Sequence, residues 1–253
     1  MDLEQDKVIG IVGGMGPQSG LTLFNHILNL TKAKYDQEHF SVVLMSFPKH
    51  IEDRTSFLDG LTIVNPAINI VHIIHKLESA GAKVVGMACN TSYVPGIYDV
   101  ILTELGKKGS KIKLLHMPIE TCKYIIDNCK SARTIGVMNT NGSYKSNLYN
   151  NLLSQHAFNV ITPDVDFQNE VIHKLIYDSN IGLKANPNFI TEDAKVLYWK
   201  AIAYFKDRKA DVIILGCTEL SVLAADDFAD DIIIIDSMLI LAKALIKEVT
   251  SEN

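Results

Sequence analysis

Val8-Ile-Gly-Ile-Val-Gly-Gly-Met-Gly-Pro17 decides the reading of this chain. Its first five residues are a short β-branched run that predicts a strand. The glycines make a turn, and from Ser19 onward the apolar Leu21, Phe24, Ile27 and Leu28 fall on one helical stripe. Strand, glycine turn and helix recur downstream. A second strand is expected over Ser41–Phe47, a polar stretch at His50–Ser56, helical spacing over Ile63–Ala80, and a strand over Ala82–Ala88 that stops at Cys89-Asn90-Thr91. Strands alternating with helices predict a mostly parallel sheet covered on both faces.

The pattern then restarts. Arg133–Met138 reads as a strand entering the turn Asn139-Thr140-Asn141-Gly142, followed by a helix from about Ser143 to His156. Later, a helix over Glu192–Phe205 precedes a strand over Asp211–Leu215 that stops at Gly216-Cys217-Thr218. Gly10 corresponds to Gly136, Cys89 to Cys217 and Asn90 to Thr218, at nearly constant offset. Repetition on the scale of half a chain predicts two similar α/β domains. They are expected over residues 1–116 with 236–253 and over 117–235. The strand Ile232–Ile235 leads into a final helix, Met238–Val249, which is expected to return to the first domain. Ligands of open α/β sheets bind beyond the carboxyl ends of strands, where both cysteines stand. Domains facing each other would set the two thiols across one cleft.

Composition narrows the function classes. With 253 residues and 47% hydrophobic content, the chain can bury one large core or two smaller ones. The net charge of −5 comes from interspersed acids and bases, and no Lys/Arg block offers a footprint for nucleic acid or an anionic membrane. The acid-rich start, Met1–Lys7, is unlike a secretory signal, and no window approaches the roughly 20 apolar residues of a membrane span. A cytoplasmic location with free thiols is the expectation. Gly13-Gly14-Met-Gly16 lacks the G-x-G-x-x-G spacing of dinucleotide sites. His72 and His75 stand three apart with no third ligand in a recognisable pattern, so no metal site is expected.

Two matched cysteines at strand ends, each followed by an amide or hydroxyl residue, point to paired acid/base chemistry. Racemisation removes a weakly acidic Cα proton from one face and returns a proton to the other. A thiolate can do the first and a thiol the second, because an unperturbed thiol titrates near about 8.5. A lone cysteine is usually a small buried hydrophobe, and Cys122 and Cys129, on or at the end of the apolar-periodic helix Ile119–Asn128, fit that reading.

Ile9-Gly-Ile-Val-Gly-Gly-Met-Gly-Pro17, Cys89-Asn-Thr91 and Gly216-Cys-Thr-Glu-Leu220, in this order, resemble the aspartate racemase branch of the aspartate/glutamate racemase family over essentially the whole chain. The resemblance implies two Rossmann-like domains related by a pseudo-two-fold axis, an active site in the interdomain cleft, and a homodimer. It also implies catalysis without pyridoxal phosphate or metal. Carried over, it makes Cys89 and Cys217 the two bases. Met15, Asn90, Thr91, Thr140 and Thr218 become substrate contacts. Arg54 is implied to hold a side-chain carboxylate of aspartate or glutamate, where a guanidinium can give two parallel hydrogen bonds. Its alternative is a solvated loop cation. Lys184 matches a family lysine after Ile176-Tyr177, but six residues, Asp178–Leu183, intervene. A Lys184 outside the site would favour a racemase of broader specificity. Relatives of this fold also include hydantoin racemases, maleate isomerases and arylmalonate decarboxylases, and a non-catalytic amino-acid-binding protein stays open.

Overall fold

The computed structural model describes residues 6–224 and 232–251; the acid-rich start at residues 1–5 lies outside them. The chain divides into two compact units, Met1–Glu120 with Met238–Asn253, and Thr121–Ser237. In order, the first segment carries β1 (Val8–Gly13), α1 (Pro17–Leu30), β2 (Val42–Ser46), α2 (Arg54–Leu58), α3 (Ala67–Ser79), β3 (Ala82–Met87), α4 (Pro95–Lys107), β4 (Lys113–Leu114) and α5 (Met117–Asn128). The rest carries β5 (Thr134–Asn139), α6 (Asn141–Lys145), α7 (Leu148–Leu153), β6 (Asn159–Ile161), α8 (Val165–Phe167), α9 (Lys174–Tyr177), α10 (Glu192–Asp207), β7 (Val212–Gly216), β8 (Ile233–Asp236) and α11 (Ser237–Thr250). A π-helical turn, Gln168–His173, joins α8 to α9.

Each unit is built on a four-stranded parallel sheet, with order β2-β1-β3-β4 in the first and β6-β5-β7-β8 in the second. The repeated order is the structural form of the repeated sequence. Gly10 pairs with Val43 and Val85, and Gly136 with Ile161 and Ile213, so the matched glycines hold the same place in each sheet. Close packing explains them, against the neighbouring strand β3 at Gly10 and against helix α10 at Gly136. A Cβ on Gly10 would stand 2.8 Å from Val85 Cγ2, and one on Gly136 would stand 2.5 Å from Phe205 Cδ1 of α10. The central strands β1 and β7 are buried along their whole length, as parallel strands covered on both faces must be.

Capping residues set several helix starts. Pro17 opens α1 at a position where its missing N–H costs no hydrogen bond. Thr191 accepts from Ala194 N at 3.1 Å to start α10, with Glu192 and Asp193 in the first turn. The helical spacing over Ile63–Ala80 shortens to α3, because Asn65 Oδ1 accepts from Ala67 N at 2.9 Å and fixes the start after Pro66. The expected helix from Ser143 to His156 is instead interrupted: Asn147 adopts φ 52° and separates α6 from α7. Asparagine tolerates that left-handed conformation, and periodicity alone does not register it. Helix α11 packs on the first sheet, where a Cβ on Gly86 would meet Leu245 and Leu241 at 3.0 and 3.1 Å. Lys113 Nζ also bonds Glu248 Oε1 at 2.6 Å. Among the described residues no helix is long and apolar enough to cross a membrane, and no group of His, Cys, Asp and Glu is arranged to hold a metal ion.

Candidate active site

In the first unit Cys89 follows β3 and precedes a 3-10 turn, Asn90–Tyr93, that leads through Val94 into α4. The thiol is 5% exposed, and Asn90, Thr91 and Ser92 are buried with it. Tyr93 holds this turn to the sheet. Its hydroxyl accepts from Met87 N at 3.0 Å and donates to Leu115 O at 3.0 Å, and burial pushes the phenol well above its ordinary range. Two positions of the glycine loop and of α2 join the same region. Ser92 Oγ donates to Met15 Sδ at 3.2 Å, and Arg54 Nη2 donates to Met15 O at 3.1 Å.

Arg54 opens α2, whose N-cap Asp53 accepts from Ser56 N at 2.8 Å. Its other guanidinium nitrogen, Nη1, donates to Glu52 O at 3.2 Å. The side chain is 6% exposed, so the solvated loop cation does not describe it. Two backbone carbonyls thus help to orient a buried guanidinium, a group whose planar fork of donors matches a carboxylate.

In the second unit Cys217 follows β7 and is 4% exposed. Its thiol donates to Glu219 Oε2 at 3.0 Å, and Thr218 Oγ1 donates to the same oxygen at 3.3 Å. The other carboxylate oxygen, Oε1, accepts from Lys184 Nζ. That ammonium also lies 5.2 Å from the centre of the Tyr177 ring, on which His173 stacks at 4.5 Å. Thr140 is buried before α6, and Asn141 N donates to His173 Nδ1 at 3.4 Å, tying this loop to the π-helical turn.

The six residues between Tyr177 and Lys184 form a closed turn. Asp178 Oδ1 accepts from Asn180 N and Ile181 N at 2.8 and 3.1 Å, while Leu183 N and Lys184 N bond back to Leu175 O and Ile176 O. A Cβ on Gly182 would stand 2.5 Å from Asp178 O, so only glycine fits this turn. Lys184 therefore stands beside the end of α9 and reaches Glu219, despite its distance in sequence.

Charges at this site oppose one another. Burial alone would raise the Glu219 carboxyl, but the Lys184 ammonium and its hydrogen bond hold it down to about 2, against an ordinary 4.5. Cys217 moves the other way: burial first, and then the negative Glu219, push its thiol well above the ordinary 9.0. The thiol of Cys217 therefore carries its proton near neutral pH. Cys122 is buried in α5, and burial alone pushes it up to about 12; Cys129 is also raised by burial. All four cysteines are free.

The structure thus gathers Met15, Arg54, Cys89 and the Asn90–Thr91 turn in one unit, and Lys184, Cys217 and Thr218 in the other, with Thr140 buried at the end of β5. Glu219, Tyr177, His173 and Ser92 escaped the reading of the sequence as site residues. For Glu219 a signal existed, since a carboxylate two residues beyond a candidate acid/base thiol lies within hydrogen-bonding reach of it.

Comparison with known proteins agrees with this architecture. A profile of the Asp/Glu/hydantoin racemases matches residues 12–245. The broad specificity amino-acid racemase RacX of Bacillus subtilis is 26% identical, over 94% of this chain and 96% of its own. Among solved structures, the aspartate racemase of Picrophilus torridus superposes with a TM-score of 0.80 at 28% identity, covering 97% of this chain and 95% of that one. An aspartate racemase homologue from Pyrococcus horikoshii shares the fold, with a TM-score of 0.71 at 20% identity, covering 97% of this chain and all of that one. With the match spanning nearly the whole chain, this protein belongs to the Asp/Glu/hydantoin racemase family.

Proposed function

We propose that this protein racemises an amino acid through two thiols, Cys89 and Cys217, acting on opposite faces of the same Cα without pyridoxal phosphate or metal. The observation that carries the reading is the equivalence of the two positions. Each cysteine is the buried residue at the carboxyl end of the third strand of its parallel sheet, next to the first strand, and each opens a turn of buried polar residues. Internal repetition of a structural thiol would not demand polar neighbours at both sites.

Chemically, one thiolate takes the Cα proton, the substrate carboxylate spreads the resulting charge, and the other thiol gives a proton to the opposite face. General acid–base groups of this kind contribute roughly 10²–10⁴-fold each. Met15, Asn90, Thr91, Thr140 and Thr218 contact the substrate. Aspartate is the first candidate substrate, with Arg54 and Lys184 as cations for its carboxylates, in line with the similarity to the Picrophilus torridus aspartate racemase.

A broader substrate range is the second reading. Lys184 already carries Glu219 as a counter-ion, which weakens the case for a strict acidic preference, and the Bacillus subtilis relative is a broad specificity racemase.

Protein treated with chelator and freed of pyridoxal phosphate would be incubated with L- and D-aspartate in D₂O, then with glutamate and neutral amino acids, following optical activity and Cα deuteration. Deuterium wash-in with racemisation, abolished by Cys89→Ala and by Cys217→Ala, is the expected result. Racemisation that survives either substitution overturns the two-thiol reading. The homodimer implied by the family resemblance is tested by sedimentation.

A further inference from the structure

The two halves of the site differ where the repeat would make them equal. Two residues beyond Cys89 stands Thr91, whereas two residues beyond Cys217 stands the carboxylate Glu219. Glu219 is buried, and it links the Cys217 thiol, 3.0 Å from Oε2, to the Lys184 ammonium on Oε1. A buried ion pair contributes little net stability once both charges are desolvated, so this arrangement calls for another reason. A fixed negative charge beside a thiol also makes the thiol a poorer source of thiolate, unless the carboxylate itself accepts the proton.

We propose that Glu219 receives the Cys217 proton when Lys184 turns from Glu219 to the carboxylate of an acidic substrate. The inference rests on the two-thiol reading and deepens it: the substrate itself switches Cys217 from acid to base. With the ammonium withdrawn, the Cys217 S–H bond breaks and an O–H bond forms on Glu219 Oε2. The thiolate then takes the Cα proton, reforming S–H and leaving an electron pair delocalised into the substrate carboxylate. Cys89 gives its proton to the opposite face. When product leaves and Lys184 returns, Glu219 releases its proton to water and the Cys89 thiolate takes one from water. No group is oxidised or reduced.

The groups around Glu219 support this division of labour. Cys217 and Thr218 face it from its own turn, and Lys184 faces it from the segment after α9. Tyr177 of α9 lies against the Lys184 ammonium and His173 stacks on Tyr177, giving the lysine an aromatic face on which to pivot.

The test compares wild type with Glu219→Gln. Cys217 ionisation is read as the ultraviolet thiolate absorbance lost in Cys217→Ala, and racemisation is run with each α-deuterated enantiomer of aspartate. Three results are expected together. The ionisation midpoint of Cys217 falls, because a negative charge is gone; racemisation nonetheless falls by about 10²-fold; and the primary isotope effect rises for one enantiomer only. Glu219→Asp should restore part of the rate. A residue that merely braced the turn would not make Cys217 easier to ionise while making the enzyme slower. Wild-type rates in Glu219→Gln, an unmoved midpoint, or equal isotope effects overturn the inference and leave the two-thiol reading standing. A wild-type protein that racemises no amino acid overturns both.

Discussion

Substituting Lys184 with Met keeps most of the side-chain volume and removes the charge, which leaves the buried Glu219 carboxylate without the ammonium that compensates it. A carboxyl with an ordinary value of 4.5, held at about 2 in the folded chain, makes the fold with ionised Glu219 more stable than the fold with protonated Glu219 by on the order of 3 kcal/mol, at about 1.4 kcal/mol per tenfold change in proton affinity, whatever the net worth of the ion pair itself. The folded value is depressed, so this stability is fully present above pH 4.5 and is lost as pH falls towards 2. In Lys184→Met the burial that opposes ionisation, the largest single influence on this carboxyl, is no longer countered by the ammonium, and the hydrogen bonds from Cys217 and Thr218 remain. The carboxyl should rise above its unfolded value, and the variant should become more stable as pH drops from 7 to 5, a range over which this group leaves wild-type stability unchanged. A loss of about 3 kcal/mol at pH 7 is expected, in line with breaking one partner of a buried pair. Trp199, the only tryptophan, sits in α10 of the second unit, so its fluorescence during urea unfolding reports on the unit that carries the pair. A loss below about 0.5 kcal/mol with an unchanged pH trend would refute the reasoning, because it would fall within the range of an exposed ion pair. The double variant Lys184→Met with Glu219→Gln should recover most of the loss.

Two further outcomes follow from the packing. Gly136→Ala places a methyl 2.5 Å from Phe205 Cδ1 and should cost about 1–3 kcal/mol in the same Trp199 assay, with Phe205→Leu relieving part of it. Cys122, pushed up to about 12 by burial, should resist alkylation in the native protein at pH 8 and react once urea unfolds it, as peptide mass mapping would show.

Much of the fold was legible because parallel α/β structure leaves strong local marks. Buried β-branched runs ended at glycines or cysteines, and the Gly10–Gly136 and Cys89–Cys217 correspondences reappear as equal places in two sheets of equal strand order. The break at Asn147 was not legible, because a single left-handed residue leaves the apolar periodicity on either side almost intact. For the same reason the end of β2 and the polar stretch after it gave no sign of α2. That helix is five residues long and starts on the Asp53 cap.

The sequence by itself determined the two-part α/β plan and the matched thiols at strand ends, since each depends on residue type and local pattern. Tertiary structure decided the electrostatics. The turn from Asp178 to Leu183 folds back on α9 and delivers Lys184 to Glu219, which in turn holds the Cys217 thiol. Arg54, a substrate-binding arginine by the family resemblance with a solvated loop cation as its alternative, is buried against Met15 O. Charge and proton affinity at a site depend on through-space distance and desolvation, and neither is encoded in the spacing of residues along the chain.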